Sequence, residues 1–181
     1  DRIVVTGFNG LKDYFSDLIC ENLRQNLNDS SCEIICTDIN LNFEQGQSCR
    51  DLSALDIARK LDTFVGYLNF KEQLKPYVRG KTVFVLPPVL SATPTTDLLD
   101  LLHIDINAEF LEVSAIPPSV TGYRTELMLH KIASQLGVEI IEKAHVIGAN
   151  VKNGRCNEVL SQGFDKVRSY KADHFILASG G

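Results

Sequence analysis

The sequence lacks most of the signatures that would announce a function at sight. No run approaches the roughly 18 apolar residues of a membrane span, and no signal-peptide pattern opens the chain. The five cysteines (Cys20, Cys32, Cys36, Cys49 and Cys156) are odd in number and form no Cys-x-x-Cys pair or His/Cys cluster. Neither a disulfide framework nor a zinc site is signalled, and no metal is expected; small buried thiols in a reducing compartment are the simpler reading. An excess of positive charge is also missing. Eighteen Lys and Arg stand against 23 Asp and Glu, a net charge of −5, so nucleic acid is not an expected partner. There is no internal repeat, no low-complexity segment, no G-x-G-x-x-G and no Walker-type Gly-Lys-Ser/Thr.

What remains is an ordinary globular composition, 44% hydrophobic and 23% charged over 181 residues, long enough to bury a real core. RIVVTG near the start reads as a buried strand stopped by glycine. Apolar residues then recur at Leu11, Tyr14, Phe15, Leu18, Ile19 and Leu23, the spacing of a helix with one inward face. CEIICTD gives a second strand ending at Asp38, and residues 40 to 50 read as a loop. Helices follow over 52–61 and 66–78, the second limited by Pro76. TVFVLPP is a third strand; a helix over 97–102 and the strand AEFLEVSA (108–115) come next, then a helix over 120–136. This alternation predicts an α/β fold with a mostly parallel sheet flanked by helices.

The texture changes after Gly137. VEIIE, HVIGANV, a turn at Lys152-Asn153-Gly154, CNEVLS, VRSYKA and a last strand FILA predict a small antiparallel meander. The expected division is 1–118 for the α/β part and 119–181 for the helix and meander. Asp1 in place of Met, and a buried-type strand running into Ser179-Gly180-Gly181, suggest a piece of a longer chain.

Two places carry candidate chemistry. Gly7-Phe8-Asn9-Gly10 between strand and helix, with Asp38 ending the next strand, is either half of a dinucleotide site or a structural turn. In IPPSVTGYR, Ser119 or Thr121 caps a helix, Gly122 permits close approach and Arg124 can hold an anion bidentately. The other reading is a capped helix with Arg124 tied to a nearby acid. The four histidines are scattered, Asp97 and Asp100 suit a first helical turn, and the catalytic residues are unknown.

The order helix, Gly-Val-x-Ile, hairpin, then Ala172-Asp173-His174-Phe175-Ile176-Leu177-Ala178-Ser179-Gly180-Gly181 resembles flavoproteins of the fumarate-reductase and glutathione-reductase kind. In those proteins the last strand re-enters the flavin-binding domain after an inserted segment. RIVVTGFNGLKDYFSDLICENLR, DIARKLD, IPPSVTGYR, VKNGRCNEV and FILASGG together resemble the middle of the B-subunit of anaerobic glycerol-3-phosphate dehydrogenase, over essentially the whole chain. The resemblance implies a Rossmann-like inserted domain whose meander leads back to a flavin-binding domain. It implies FMN, or FAD, in the full-length protein and none on this piece, with Ala178, Ser179, Gly180 and Gly181 against the flavin and Val146 near an adenine position. The implied activity is oxidation of sn-glycerol 3-phosphate to dihydroxyacetone phosphate with electrons passed to quinone. The implied partners are a larger catalytic flavoprotein subunit and an iron–sulfur membrane-anchoring subunit, which would place the chain in the cytoplasm, peripheral to the inner membrane. Ser119, Thr121, Gly122 and Arg124 become candidates for substrate or partner contact. Two alternatives stand beside it: a self-contained nucleotide-binding module using Gly7, Gly10 and Asp38, and a non-catalytic subunit-interaction domain.

Overall fold

The computed structural model describes residues 1–27, 31–41 and 52–179. The chain forms two compact units, 1–132 and 133–181, the division falling within one helix. In the first unit the order is β1 (Arg2–Phe8), α1 (Ser16–Asn26), β2 (Glu33–Ile39), α2 (Ala54–Leu61), α3 (Phe64–Leu74), a 3-10 turn (Lys75–Tyr77), β3 (Thr82–Leu86), α4 (Asp97–Asp105), β4 (Glu109–Glu112) and α5 (Val120–Gln135). The four strands form one sheet, order β2-β1-β3-β4, and every pairing is parallel.

The two-residue period of the strands sorts side chains between the faces of this sheet. Val4, Phe8, Ile39, Phe84 and Leu86 enter the larger core, where they meet Ile57 and Leu61 of α2, Phe70 and Leu74 of α3, and Leu98 and Leu102 of α4. The Phe8 and Phe70 rings stack with centroids 5.7 Å apart, and Phe84 stacks on Phe110 at 5.3 Å. Val5 and Val85 face the other way, against Cys20, Ile19 and Leu23 of α1. Both faces are therefore covered, which is why β1 and β3 read as unbroken apolar runs rather than alternating ones. The expected α/β class with a mostly parallel, helix-flanked sheet is what forms.

Helix starts follow their capping chemistry. Ser53 caps α2 through a capping box: its hydroxyl accepts the Asp56 N–H at 3.2 Å while the Asp56 carboxylate accepts the Ser53 N–H at 3.0 Å. Those bonds from Ser53 hold the Asp56 carboxyl below the usual carboxylate range. Thr63 caps α3, accepting the Gly66 N–H at 3.1 Å.

Three expectations need correction. The first helix begins at Ser16 rather than just after Gly10: Gly10 turns at φ 90°, its carbonyl accepts the Leu52 N–H at 2.9 Å, and Leu11 bridges to Leu52. Phe15 and Leu18, two of the supposed inward positions, are exposed. Strand β4 is also shorter than AEFLEVSA, although the Val113 N–H still reaches the Leu86 carbonyl at 2.9 Å. The expected loop over residues 40 to 50 lies largely outside the described residues.

The second unit holds β5 (His145–Lys152), β6 (Arg155–Gln162) and β7 (Val167–Lys171), antiparallel in the order β5-β6-β7. Asn153 and Gly154 both have positive φ, 51° and 73°, the backbone a two-residue hairpin demands, and Lys152 pairs with Arg155 across it. The third correction lies here: VEII and FILA are not strands. Among the described residues they pair with nothing, and Ile176 and Leu177 are 93% and 89% exposed. Their composition suits a strand, but a strand exists only where a neighbouring edge accepts its backbone.

Candidate functional site

The loop after β3 and the first turn of α5 meet around one ion pair. Ser119 supplies the helix cap, its hydroxyl accepting the Gly122 N–H at 3.0 Å. Val120 is buried against Ala58 and Ala92, which fixes where α5 enters. One turn later Arg124 points back beneath the loop. Its Nη1 and Nη2 donate to Glu112 Oε2 and Oε1 at 2.7 and 3.0 Å, its Nε to the Ser91 carbonyl at 2.7 Å, and Nη2 also to the Leu90 carbonyl at 2.7 Å. Glu112 Oε1 in turn accepts the Leu90 N–H at 2.6 Å. The pair therefore grips backbone 90–91 from both sides, and most of the guanidinium's five N–H groups are committed. Of the two readings of Arg124, the geometry displayed is the capped helix with its arginine tied to an acid.

Glu112 was not singled out from sequence, yet a signal exists. It alternates with Phe110 on the inward face of β4, where a carboxylate without a cation would be costly. An inward acid on a strand predicts a buried arginine elsewhere.

The gripped loop is itself unusual. Ser91, 2% exposed, has φ 75°, a left-handed backbone that non-glycine residues adopt at a cost and that clusters at functional places. Its hydroxyl lies 2.8 Å from that of Thr93 and accepts the Thr93 N–H at 3.0 Å. Asp62 Oδ2 accepts the Ala92 N–H at 2.9 Å. The loop lies beyond the carboxyl end of β3, the side of an open α/β sheet on which ligands sit. Between it and the starts of α3 and α4 is a groove of about 420 Å³. Tyr67, on one wall, donates to Asp105 Oδ2 at 2.6 Å, and Lys71 Nζ donates to the same oxygen at 2.7 Å. Burial, then the bond to Asp105, raises the Tyr67 phenol; Lys71, then Tyr67, holds the Asp105 carboxyl low.

At the amino-terminal turn, the start of α1 lies six residues beyond Gly10, so turn and helix end do not form one phosphate cradle. Asp38 Oδ1 accepts the Ser16 hydroxyl at 3.1 Å, and Gly7 lies so close that an added Cβ would collide with that carboxylate. Beside it, burial pushes the Cys36 thiol up to about 12, and its bond to Asp17 at 3.1 Å adds to this.

The remaining sequence candidates fall as follows. Ser119, Gly122 and Arg124 share the opening turns of α5, and Thr121 is exposed there. Val146 is exposed on β5 opposite Ser161. Ala178 and Ser179 are exposed in the unpaired segment after β7, and Gly180 and Gly181 lie outside the described residues. His103 tilts against Phe110 and stands 4.0 Å from Glu109. No metal-holding cluster of His, Cys, Asp or Glu occurs among the described residues.

Comparison with known proteins supplies the context for this geometry. The chain is similar to the B-subunit of anaerobic glycerol-3-phosphate dehydrogenase along nearly its whole length. The protein of that name from Pasteurella multocida is 27% identical over 182 residues, covering 99% of this chain and 42% of the relative. That from Glaesserella parasuis is 23% identical over 180 residues (98% and 42%), and that from Vibrio cholerae 24% over 183 residues (99% and 41%). The chain thus spans about two-fifths of the length of these relatives. No protein-family model matches it, and no solved structure does. Among the described residues no helix is long and apolar enough to cross a membrane.

Proposed function

We propose that the chain is part of a flavin-dependent dehydrogenase subunit taking part in the oxidation of sn-glycerol 3-phosphate to dihydroxyacetone phosphate, with electrons passed to quinone. One observation carries this reading: relatives named as the B-subunit of anaerobic glycerol-3-phosphate dehydrogenase align over 98–99% of the chain. The exposed apolar segment around Ile176 and Leu177 supports it, because a strand-type sequence that finds no strand partner among the described residues suits a chain that joins another sheet.

Removing two electrons and two protons from a secondary alcohol is chemistry that a flavin supplies when bound and that no side chain of this chain replaces. Val146, Ala178 and Ser179 are exposed and enter no side-chain hydrogen bond among the described residues, so by themselves they form no cradle for it. In this proposal Ala178, Ser179, Gly180 and Gly181 offer backbone to FMN or FAD, with Val146 at the edge of the site. Ser119, Thr121 and Gly122 present the start of α5 to substrate or to a partner subunit, and Arg124 acts through the loop it holds. The partners are a larger flavoprotein subunit and an iron–sulfur subunit that attaches the assembly to the inner membrane from the cytoplasm.

The test is the flavin content and activity of the full-length protein co-expressed with those subunits. Stoichiometric flavin on this subunit and glycerol-3-phosphate-dependent reduction of a quinone analogue are expected. A flavin-free subunit whose omission leaves that activity intact would refute the reading.

A further inference from the structure

The second unit holds a pocket of about 200 Å³, lined by the turn end of the β6–β7 hairpin and by residues 141–144. Strand register builds its floor. Ser161 of β6 pairs with Arg168 of β7, and Val159 pairs with Tyr170, so Ser161, Arg168 and Tyr170 project from one side of the sheet. Lys166 stands two residues before Arg168, and its carbonyl closes the turn by accepting the Gly163 N–H at 3.1 Å. His145 pairs with Gln162 at the start of β5, which brings the residues just before it, Lys143 among them, beside that turn.

Ser161 distinguishes this pocket from a merely charged surface. The residue is 7% exposed, yet its hydroxyl makes no hydrogen bond among the described residues. A buried hydroxyl ordinarily has a partner. No fully enclosed polar side-chain atom among the described residues lacks one, so the Ser161 hydroxyl is not shut inside the sheet but opens on the pocket it lines. The side chains of Lys143, Lys166 and Arg168 also enter no hydrogen bond or ion pair among the described residues, and neither does the Tyr170 hydroxyl. Three cations stand against two carboxylates, Glu142 and Asp165, an excess of positive charge in a chain whose net charge is −5.

This lining discriminates among ligands. A neutral compound would leave the cations unpaired, and a cation would be repelled. A planar carboxylate brings two oxygens, whereas a guanidinium fork, two ammonium groups and two hydroxyls supply donors for a tetrahedral oxoanion. The volume lies below that of drug-sized sites and suits a phosphate with a short carbon chain.

We infer that this pocket binds the phosphate group of a small phosphomonoester, with Arg168, Lys143 and Lys166 neutralising it and the Ser161 hydroxyl donating to one of its oxygens. The inference does not rest on the dehydrogenase reading.

The test uses the full-length protein with inorganic phosphate as the probe, its phosphorus NMR line width followed through a titration in HEPES. A dissociation constant on the order of 1 mM is expected, persisting at about 0.15 M salt. Arg168→Met should weaken binding at least about tenfold without moving the urea midpoint, because Arg168 is exposed. Ser161→Ala should weaken it about threefold. Lys152→Met removes a positive charge at the far end of β5, outside the lining, and should leave binding unchanged. Glycerol 2-phosphate should displace the probe, and glycerol should not. No saturable broadening, broadening lost at about 0.15 M salt, or equal losses in Arg168→Met and Lys152→Met would each overturn the inference. So would full binding in Ser161→Ala, or a probe that glycerol 2-phosphate fails to displace. Phosphate held elsewhere, at a catalytic centre included, would be untouched by Arg168→Met, and that result overturns it too. Absent phosphate binding alongside normal glycerol 3-phosphate oxidation overturns this inference and leaves the proposed function standing.

Discussion

Replacing Glu112 by Gln isolates the ion pair with almost no change in shape. The carboxylate accepts three bonds of 2.6 to 3.0 Å, two from Arg124 and one from the Leu90 N–H. Its side chain is 22% exposed and that of Arg124 17%. Fully buried, a charge-assisted bond contributes about 1.5–3 kcal/mol, and orphaning one member of a buried pair costs about 3–5 kcal/mol. The residual exposure lowers this, and Gln keeps one acceptor oxygen while its amide faces the guanidinium, so a loss of about 2–3 kcal/mol is expected. With a urea dependence of about 2 kcal/mol per M, the unfolding midpoint should fall by about 1–1.5 M at unchanged slope. Arg124→Met should lower it similarly, and the double variant should be less damaged than the sum of the two by about 1–2 kcal/mol. Circular dichroism during urea unfolding reads all three. Effects that simply add within about 0.5 kcal/mol would mean that the pair is not a coupled unit, and the positioning role would fall with it.

Gly66→Ala should be among the most damaging small substitutions, since its Cβ would collide with the Lys60 carbonyl, backbone that cannot swing aside. A loss of at least about 2 kcal/mol is expected in thermal or urea unfolding, and a neutral result would show that α2 and α3 are not held as described. Asp56 has a depressed carboxyl pKa in the folded chain, so its contribution is complete above the ordinary carboxylate value of about 3.9 and is lost as pH falls through the lower folded value. The stabilities of wild type and Asp56→Asn should therefore converge at low pH, and a difference that persisted there would contradict the capping-box account. Cys36, with its thiol pushed up to about 12, should alkylate with iodoacetamide at pH 8 far more slowly than an ordinary thiol of pKa about 8.5. Peptide mapping by mass spectrometry would disprove this if Cys36 were modified at the rate of a free cysteine.

The sequence was most readable where local chemistry and tertiary demand coincide. β1 and β3 are buried on both faces, so their apolar runs had one interpretation, and Asn153-Gly154 adopts the backbone its composition asks for. Reading failed where a segment's state depends on something distant. Leu11 fits the α1 stripe but is drawn to Leu52, and neither 138–141 nor 175–178 finds a partner edge among the described residues. At the site, the Ser119 cap was legible because capping is local. Which of two acts Arg124 performs was not, because it turns on Glu112, Leu90 and Ser91, brought together only by the β3–β4 pairing. Nor could the groove be read, since its walls come from two stretches far apart in the sequence, 61–67 and 91–101.

The strand order β2-β1-β3-β4 also has a consequence for synthesis on the ribosome. β1 can zip to β2 once Ile39 has emerged, but its other edge waits for β3, where Arg2 pairs with Thr82. At ordinary elongation rates that wait lasts about 2–9 s. During it, the Ile3-Val4-Val5 edge stands open on a nascent chain whose larger core still lacks Phe84 and Leu86. Any slowing of translation between β2 and β3 lengthens the exposure of an edge that the finished sheet hides at its centre.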